Sequence, residues 1–201
     1  MSRLDEPRLT PLTIDEVDGE TQELLRQGAD AMGGRILNIF GTLARHPQLY
    51  KRWARFGNQI LFRSTLSGRD REIAILRIGW LCAAEYEWGQ HVIIGRREGL
   101  SDEEIRRIAD GPDADGWTLL EAAILRATDE LHDDAFISDA TWAQLAAELS
   151  EKQCIELVFT VGQYNLVSMA LNTLGVQRDE DVPGFVETAG RKPPRLQDAT
   201  S

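Results

Sequence analysis

The sequence predicts an all-α protein built as one domain. No run of alternating apolar and polar residues is bounded by hairpin turns, so strands are not favoured. Apolar residues instead recur at three- and four-residue intervals between Ser, Thr or Asp caps and Gly stops. The chain has 201 residues. That length suits a single substantial core, since domains commonly hold about 100–200 residues.

Composition excludes several classes of function. The chain has 22 Lys and Arg against 33 Asp and Glu, a net charge of −11. Such a surface repels phosphate backbones, so nucleic-acid binding is not expected. No membrane association is expected either, because no segment approaches the roughly 18 consecutive apolar residues of a membrane span. The N-terminal residues carry no apolar signal region, and two isolated cysteines suit a reducing cytoplasm.

Helix signals divide the first half of the chain. Residues 1–12 hold two prolines and are predicted to form an extended N-terminal arm. Thr13 or Asp15 can cap the first helix, Pro47 suits the first turn of another, and Ser67 is a good N-cap. The predicted helices here are 15–31, 38–43, one from Pro47 with Leu49, Trp53, Phe56 and Ile60 inward, and one from Ser67 to about 79–84.

The second half continues the pattern. Ser101 opens a capping box, and Thr118, Ser138 and Ser150 can each cap a later helix. The domain is predicted to span 13–176. Residues 177–201, with three prolines and a weak apolar pattern, are predicted to form a C-terminal tail. The predicted helices in this half cover about 85–98, 102–109, 118–132, 139–149 and 151–174.

Residues 71–91 combine the most apolar part of the middle of the chain with ionisable groups. Glu87 and His91 are four positions apart and would share one helix face. Burying a carboxylate and an imidazole is costly unless they find partners. Glu72 and Glu87 would be about 22 Å apart on one straight helix. A shared site therefore needs a bend before Glu85, although the residues alone also permit a continuous helix.

Residues 81–91 read LCAAEYEWGQH. They resemble the Glu-Tyr-Glu-Trp-x-x-His signature of cysteine-poor members of the carboxymuconolactone decarboxylase family, which also contains the AhpD-type alkylhydroperoxidases. The peroxidase branch carries a Glu, then Cys-x-x-Cys, then a His. Glu72 and His91 match that pattern, whereas Ala84 and Glu87 stand at the two cysteine positions. A second resemblance lies at 157–176, and the likeness extends over about 35–178.

The resemblance implies an AhpD-like helical bundle with a buried central helix pair, assembled as a homo-oligomer, often a trimer or hexamer. It also implies a cofactor-free lyase or isomerase that transfers protons on a small unsaturated carboxylate or lactone. His91 would give or take the proton, Glu87 would orient it, and Glu72 would set its charge state. No metal site is predicted, because a catalytic zinc normally needs three protein ligands.

Other side chains near this stretch are candidates for substrate binding. Arg77 is the nearest cation for a substrate carboxylate. Tyr86 and Trp88 could line a pocket or pack at an interface. Cys82 could also be a small buried hydrophobe, and Asn172 matches a position often seen in the family. Two alternatives stay open: an AhpD-like protein with thiol redox activity, and a non-catalytic oligomeric binding scaffold. The substrate-binding candidates are therefore Tyr86, Trp88, Arg77, Cys82 and Asn172.

Overall fold

α-Helices dominate this computed structural model, which describes residues 3–31 and 33–197. Within those two ranges there is no strand, so the all-α prediction is confirmed. The helices are α1 (Gly19–Ala31), α2 (Asn38–Leu43), α3 (Pro47–Phe62), α4 (Gly68–Leu81), α5 (Glu85–Arg97), α6 (Asp102–Asp110), α7 (Leu119–Asp134), α8 (Asp139–Glu148), α9 (Glu151–Leu174), α10 (Phe185–Ala189) and α11 (Pro194–Gln197).

Cap chemistry sets most helix starts where the sequence predicts them. The side chains of Ser67, Ser101, Thr118, Ser138 and Ser150 each accept a hydrogen bond from a backbone N–H in the first turn that follows. Such caps satisfy N–H groups that have no partner inside the helix. The first helix differs, because a short 3-10 turn (Ile14–Glu16) follows Thr13 and α1 begins only at Gly19.

The inward face of α3 is only partly as predicted. Ile60 is buried, but Leu49 is 52% exposed and Phe56 is 39% exposed. α3 contacts α1, α2 and α9 at the edge of the bundle. The three-and-four spacing therefore marks an apolar stripe on α3 that the protein's own core covers incompletely.

α4 is the central helix of the fold. It packs against α5, α6, α7 and α9, and its residues 71–80 are all buried. The chain then reverses direction at Cys82–Ala84, where Ala83 adopts a left-handed φ of 51° and the Ala84 N–H donates to the Gly79 carbonyl at 2.9 Å. α5 therefore runs back along α4, and the predicted break before Glu85 is present.

The segment after α9 packs more closely than the prediction of a tail suggests. Phe185 is fully buried between Trp80 and Trp88, with ring centroids at 5.3 and 5.6 Å. A Cβ on Gly89 would lie 2.2 Å from the Pro183 carbonyl oxygen, so α5 needs glycine where this segment crosses it. The described part of the segment covers α5 and α6 and belongs to the core.

α9 is long and apolar enough to cross a membrane by length and composition alone. Half of its apolar stretch is buried inside the protein, however, where it contacts α3, α4, α5, α7 and α8. This is the position of a core helix, which passes the same test of length and composition.

Candidate functional site

The turn between α4 and α5 brings the three predicted catalytic residues together. His91 Nδ1 lies 2.6 Å from Glu72 Oε2, and His91 Nε2 lies 2.9 Å from Glu87 Oε1. Glu72 is on α4, whereas Glu87 and His91 lie one turn apart on α5. All three side chains are at least nine-tenths buried. The imidazole is therefore held between two carboxylates inside the fold.

Arg71 extends this arrangement by one more charge. Its Nε donates to Glu72 Oε1 at 3.0 Å, and its Nη2 contacts Glu98 Oε1 at 3.4 Å. Glu72 thus has a cationic group on each of its two oxygens. The buried row runs Arg71, Glu72, His91, Glu87, in which the sign alternates when His91 is protonated. Alternation lets charges stay buried, because each is paired with its neighbours.

The two carboxylates control the protonation of His91. Burial by itself lowers the pKa of an imidazole, since it disfavours the charged form. The charges of Glu72 and Glu87 and the hydrogen bond between Glu72 and the ring outweigh burial and raise the pKa of His91 from 6.5 to about 10. The ring is therefore a cation at neutral pH, with Nδ1–H donating to Glu72.

Glu87 is the less completely satisfied of the two carboxylates. Its Oε1 lies at ion-pair distance from His91 Nε2, but it has no well-aligned hydrogen-bond donor among the described residues. A buried acceptor without a hydrogen bond costs about 1–3 kcal/mol. Glu87 also lines a cavity. The open acceptor position is therefore available to a molecule inside that cavity.

The cavity lies between α1–α3 on one side and α5 and α9 on the other, with a volume of about 180 Å³. Glu87 and His91 form part of its wall, beside Tyr164 of α9. The Tyr164 ring meets the imidazole edge-to-face, with centroids 4.8 Å apart. Uncharged amides also line it: Gln27, Asn58, Gln90 and Gln163. The larger apolar and aromatic lining residues include Leu37, Ile39, Phe40, Tyr50, Trp53 and Phe62.

Tyr86 lines the cavity, as one of the two predicted roles requires, but its hydroxyl is already engaged. It donates to Asp179 Oδ2 at 2.6 Å and accepts a 3.4 Å contact from the Ile39 N–H. Gln90 Nε2 donates to the same Asp179 oxygen at 2.8 Å. Burial and the neighbouring Asp179 charge raise the pKa of Tyr86. The Tyr86 hydroxyl therefore fastens α5 to the segment after α9.

Arg77 and Trp88, predicted as substrate-binding residues, do not line this cavity. Arg77 forms a two-point ion pair with Asp129 at 2.6 and 2.8 Å and donates to the Ile108 and Ala109 carbonyls. Trp88 is fully buried and donates from Nε1 to Thr188 Oγ1 at 2.7 Å. Both side chains instead connect helices of the core. Other helices surround α4 on all sides and α5 on most sides, so a side chain on either helix can point away from the cavity.

Cys82 and Asn172 are also absent from the cavity lining. The Cys82 thiol lies 3.2 Å from Asn165 Oδ1, and burial raises its pKa. Asn172 Nδ2 donates to the Cys82 carbonyl at 2.9 Å. The two residues therefore fasten the α4–α5 turn to α9. A raised pKa keeps the thiol protonated and a poor nucleophile.

Several residues of the site were not singled out from the sequence. Arg71 pairs with Glu72, and Asp179 accepts three hydrogen bonds although it lies in the segment predicted to be a tail. The aromatic wall formed by α2 and α3 was interpreted only as core packing. A charged residue beside Glu72 on an apolar helix was the one signal that could have identified Arg71. Among residues 3–31 and 33–197, no group of three or more potential ligands is arranged to hold a metal ion.

Comparisons with known proteins agree with this architecture. Residues 47–130 match the sequence model of the carboxymuconolactone decarboxylase family, a span that includes Glu72, Glu87 and His91. No curated protein matches the chain in sequence.

Solved structures share the fold at low identity. An alkylhydroperoxidase AhpD core, an uncharacterized peroxidase-related protein from Ralstonia eutropha JMP134, is 15% identical with a TM-score of 0.77, covering 91% of this chain and 96% of that one. A putative antioxidant defence protein AhpD from Agrobacterium tumefaciens is 19% identical with a TM-score of 0.65, and the match covers 69% of this chain and 96% of that one. The debrominase Bmp8 bound to 2,3,4-tribromopyrrole is 17% identical with a TM-score of 0.70, and the match covers 88% of this chain and 94% of that one. These likenesses establish a shared AhpD-like fold.

Proposed function

Since residues 47–130 match the sequence model of the carboxymuconolactone decarboxylase family, we propose that this chain is a cofactor-free enzyme that transfers protons to and from carbon. One observation carries the proposal: His91 is held between Glu72 and Glu87 at the wall of a cavity. A group that gives or takes a proton must be within reach of its substrate and fixed in orientation. Glu87 and His91 meet both conditions.

Each charged residue has a distinct part in the proposed reaction. Because the raised pKa keeps His91 protonated, Glu87 takes the role of base that the sequence assigned to His91. Glu87 takes a proton from an acidic carbon of the substrate, and the C–H electrons move into a conjugated carbonyl. The protonated His91, whose Nε2 lies 2.9 Å from Glu87 Oε1, balances the charge of that carboxylate before the transfer. Glu87 then returns the proton at the far end of the conjugated system. Glu72 holds Nδ1–H, and Arg71 balances the charge of Glu72.

The reaction proposed is the isomerisation or decarboxylation of a small unsaturated lactone or carboxylate. In isomerisation the C–H electron pair moves into the substrate's own conjugated carbonyl, and Glu87 returns the proton. In decarboxylation the C–C electron pair left by carbon dioxide moves into that carbonyl, and the proton of His91, passed through Glu87, goes to the carbon. Neither reaction requires a thiol or a metal. The debrominase neighbour binds 2,3,4-tribromopyrrole, which is a small conjugated ring of comparable size. The class of enzyme proposed is accordingly an isomerase or a carboxy-lyase.

A homo-oligomer in the cytoplasm is proposed as the working form. α9 presents an apolar stripe of Ile155, Phe159, Leu166 and Met169, each more than half exposed. Phe159 meets Phe56 of α3 edge-to-face, with centroids at 6.2 Å, so the stripe continues onto α3. Contiguous exposed apolar surface of this kind is typical of subunit interfaces. The two free cysteines support a reducing compartment.

Light scattering after size-exclusion chromatography tests the oligomer. The native protein is expected to have the mass of a trimer or hexamer, and Phe159→Glu is expected to dissociate it. Phe136, which is 61% exposed and lies between α7 and α8, provides the control, because Phe136→Glu should leave the mass unchanged. A monomeric native protein would contradict the proposed assembly.

Proton transfer is tested in D₂O with a panel of α,β- and β,γ-unsaturated five-membered lactones. Proton NMR follows loss of the acidic C–H signal and the appearance of the isomer. We expect the native protein to catalyse both, and Glu87→Gln to slow them by about 10²–10⁴-fold, the usual contribution of a general base. Val186→Ala, at an exposed site, is expected to match the native rate. No exchange above the buffer rate in folded native protein would refute the proposal.

A further inference from the structure

We infer that this cavity selects uncharged molecules, so that the substrate is a neutral, mostly apolar ring compound with an acidic hydrogen rather than a carboxylate. The inference rests on the proposed function only in calling the bound molecule a substrate. The preference for uncharged ligands concerns binding and is tested by binding alone. It narrows the proposed lactones and carboxylates to the lactones and to other uncharged conjugated rings. It also narrows the proposed reaction to isomerisation, because decarboxylation requires a substrate carboxylate.

Cations other than His91 are absent from the described part of the cavity lining. None of the described residues that line the cavity is Arg or Lys. Arg77 is committed to Asp129 and to two backbone carbonyls, and Arg71 is committed to Glu72 and Glu98. A carboxylate in a buried site needs a paired cation or several hydrogen-bond donors. The arginines nearest to the site in the sequence therefore cannot provide one without breaking existing ion pairs.

Each ring nitrogen of the cationic His91 already faces a carboxylate oxygen. Its Nδ1 faces Glu72 Oε2 at 2.6 Å, and its Nε2 faces Glu87 Oε1 at 2.9 Å. An incoming carboxylate that approached the ring would therefore meet Glu87 first. Two carboxylates in contact repel each other, and one of them has to take up a proton. The imidazolium therefore attracts an anion less than its charge alone suggests.

The buried row of Arg71, Glu72, His91 and Glu87 has balanced charges. Arg71 and His91 contribute two positive charges, and Glu72 and Glu87 contribute two negative charges, so the row is neutral. Binding a neutral molecule keeps this balance. Binding an anion adds one uncompensated charge to a site whose walls are largely apolar, and such a charge is expensive to remove from water.

The open hydrogen-bonding position at the site is an acceptor, the Oε1 atom of Glu87. Glu87 Oε1 is buried and has no aligned hydrogen-bond donor among the described residues. A ligand that presents an acidic O–H, N–H or C–H can fill this position, whereas a carboxylate can only offer another acceptor. Aromatic side chains of the wall, among them Phe40, Tyr50 and Trp53, match the faces of a flat ring.

The experiment compares phenol with benzoate, which have the same ring but different charges at pH 7. Calorimetry or ligand-observed NMR gives the two dissociation constants for the full-length native protein. We expect phenol to bind at least about tenfold more tightly than benzoate. Benzoate binding equal to or tighter than phenol binding, or no detectable phenol binding, would overturn the inference.

Two variants are expected to change the preference in a defined direction. Glu87→Gln leaves the imidazolium without its second carboxylate, so benzoate should bind at least about tenfold more tightly than it binds the native protein, and phenol more weakly. Asn58 lines the cavity and is exposed at its edge, so Asn58→Arg adds a cation without disturbing the core. It should also strengthen benzoate binding, whereas its control Asn58→Gln should not. If neither Glu87→Gln nor Asn58→Arg strengthens benzoate binding, the electrostatic explanation of the preference is wrong.

The two proposals fail separately. Selective phenol binding without proton exchange in any lactone would refute the proposed function and leave the preference for neutral ligands intact. Proton exchange in lactones together with equal binding of benzoate and phenol would leave the proposed function intact and refute the preference.

Discussion

Glu72 and His91 are 19 positions apart in the chain, yet Glu72 Oε2 lies 2.6 Å from His91 Nδ1. The contact exists because α5 folds back along α4 after the turn at Cys82–Ala84. It joins two helices by a charge-assisted hydrogen bond, which is shorter and stronger than a neutral one. Because both partners are buried, removing either one leaves the row of Arg71, Glu72, His91 and Glu87 with one uncompensated charge.

Replacement of Glu72 is expected to destabilise the protein strongly. Glu72→Gln leaves Arg71 and His91 as buried cations with one fewer carboxylate, and breaking a buried pair typically costs about 3–5 kcal/mol. Glu98→Gln provides a matched control, since Glu98 contacts the same Arg71 but is 40% exposed. Exposed ion pairs contribute about 0–1 kcal/mol. Urea denaturation of both variants measures the difference, and equal losses would contradict a special role for Glu72.

The stability of the protein is expected to depend on pH through His91. The folded pKa is about 10 and the ordinary value is 6.5, so the folded state holds the proton more tightly. The stabilisation is therefore fully present below pH 6.5 and is lost as pH rises through about 10. Denaturation between pH 6 and pH 10 should show the native protein losing stability more steeply than His91→Gln. NMR titration of the His91 ring near pH 6.5 would show that the carboxylates do not hold the proton.

The segment after α9 is expected to contribute to stability as part of the core. Phe185→Ala removes a fully buried ring from between two tryptophans, and such truncations cost about 3–5 kcal/mol. Val186, its neighbour in sequence, is 53% exposed. Val186→Ala should therefore change the free energy of unfolding by less than about 0.5 kcal/mol. Similar small effects in both variants would mean that the segment does not pack on α5 in solution.

Arg77 is expected to matter for stability and not for ligand binding. Arg77→Lys keeps the positive charge but cannot reproduce the two-point contact with Asp129 together with the bonds to two carbonyls. We expect a loss of about 1–3 kcal/mol, the cost of unsatisfied buried polar groups. Thermal denaturation measures this loss, and calorimetry with phenol should give an unchanged dissociation constant. A weakened affinity in folded protein would restore Arg77 to the site.

The elements of the site were predictable where local chemistry decides them. The four-residue spacing of Glu87 and His91 places both on one face of a helix, and the serine and threonine caps mark helix starts to within one or two residues. The bend before Glu85 was predicted because Glu72 and Glu87 could not otherwise meet. The contacts of Arg77, Trp88 and Cys82 were not predictable, since nearness in sequence to His91 does not tell which way a side chain points from a largely buried helix. Asn172 was chosen from the family pattern, which does not specify its contacts.

The sequence by itself determined the helical class, the helix boundaries, the family resemblance and the Glu72, Glu87 and His91 set, because these depend on periodicity, caps and local motifs. Only the tertiary structure decided which side chains share the cavity, that Arg71 balances Glu72, and that Phe185 closes the core. The physical reason is that each of these depends on contacts between helices distant in sequence. Burial then sets their electrostatics, because a charge removed from water is governed by whatever the fold places beside it.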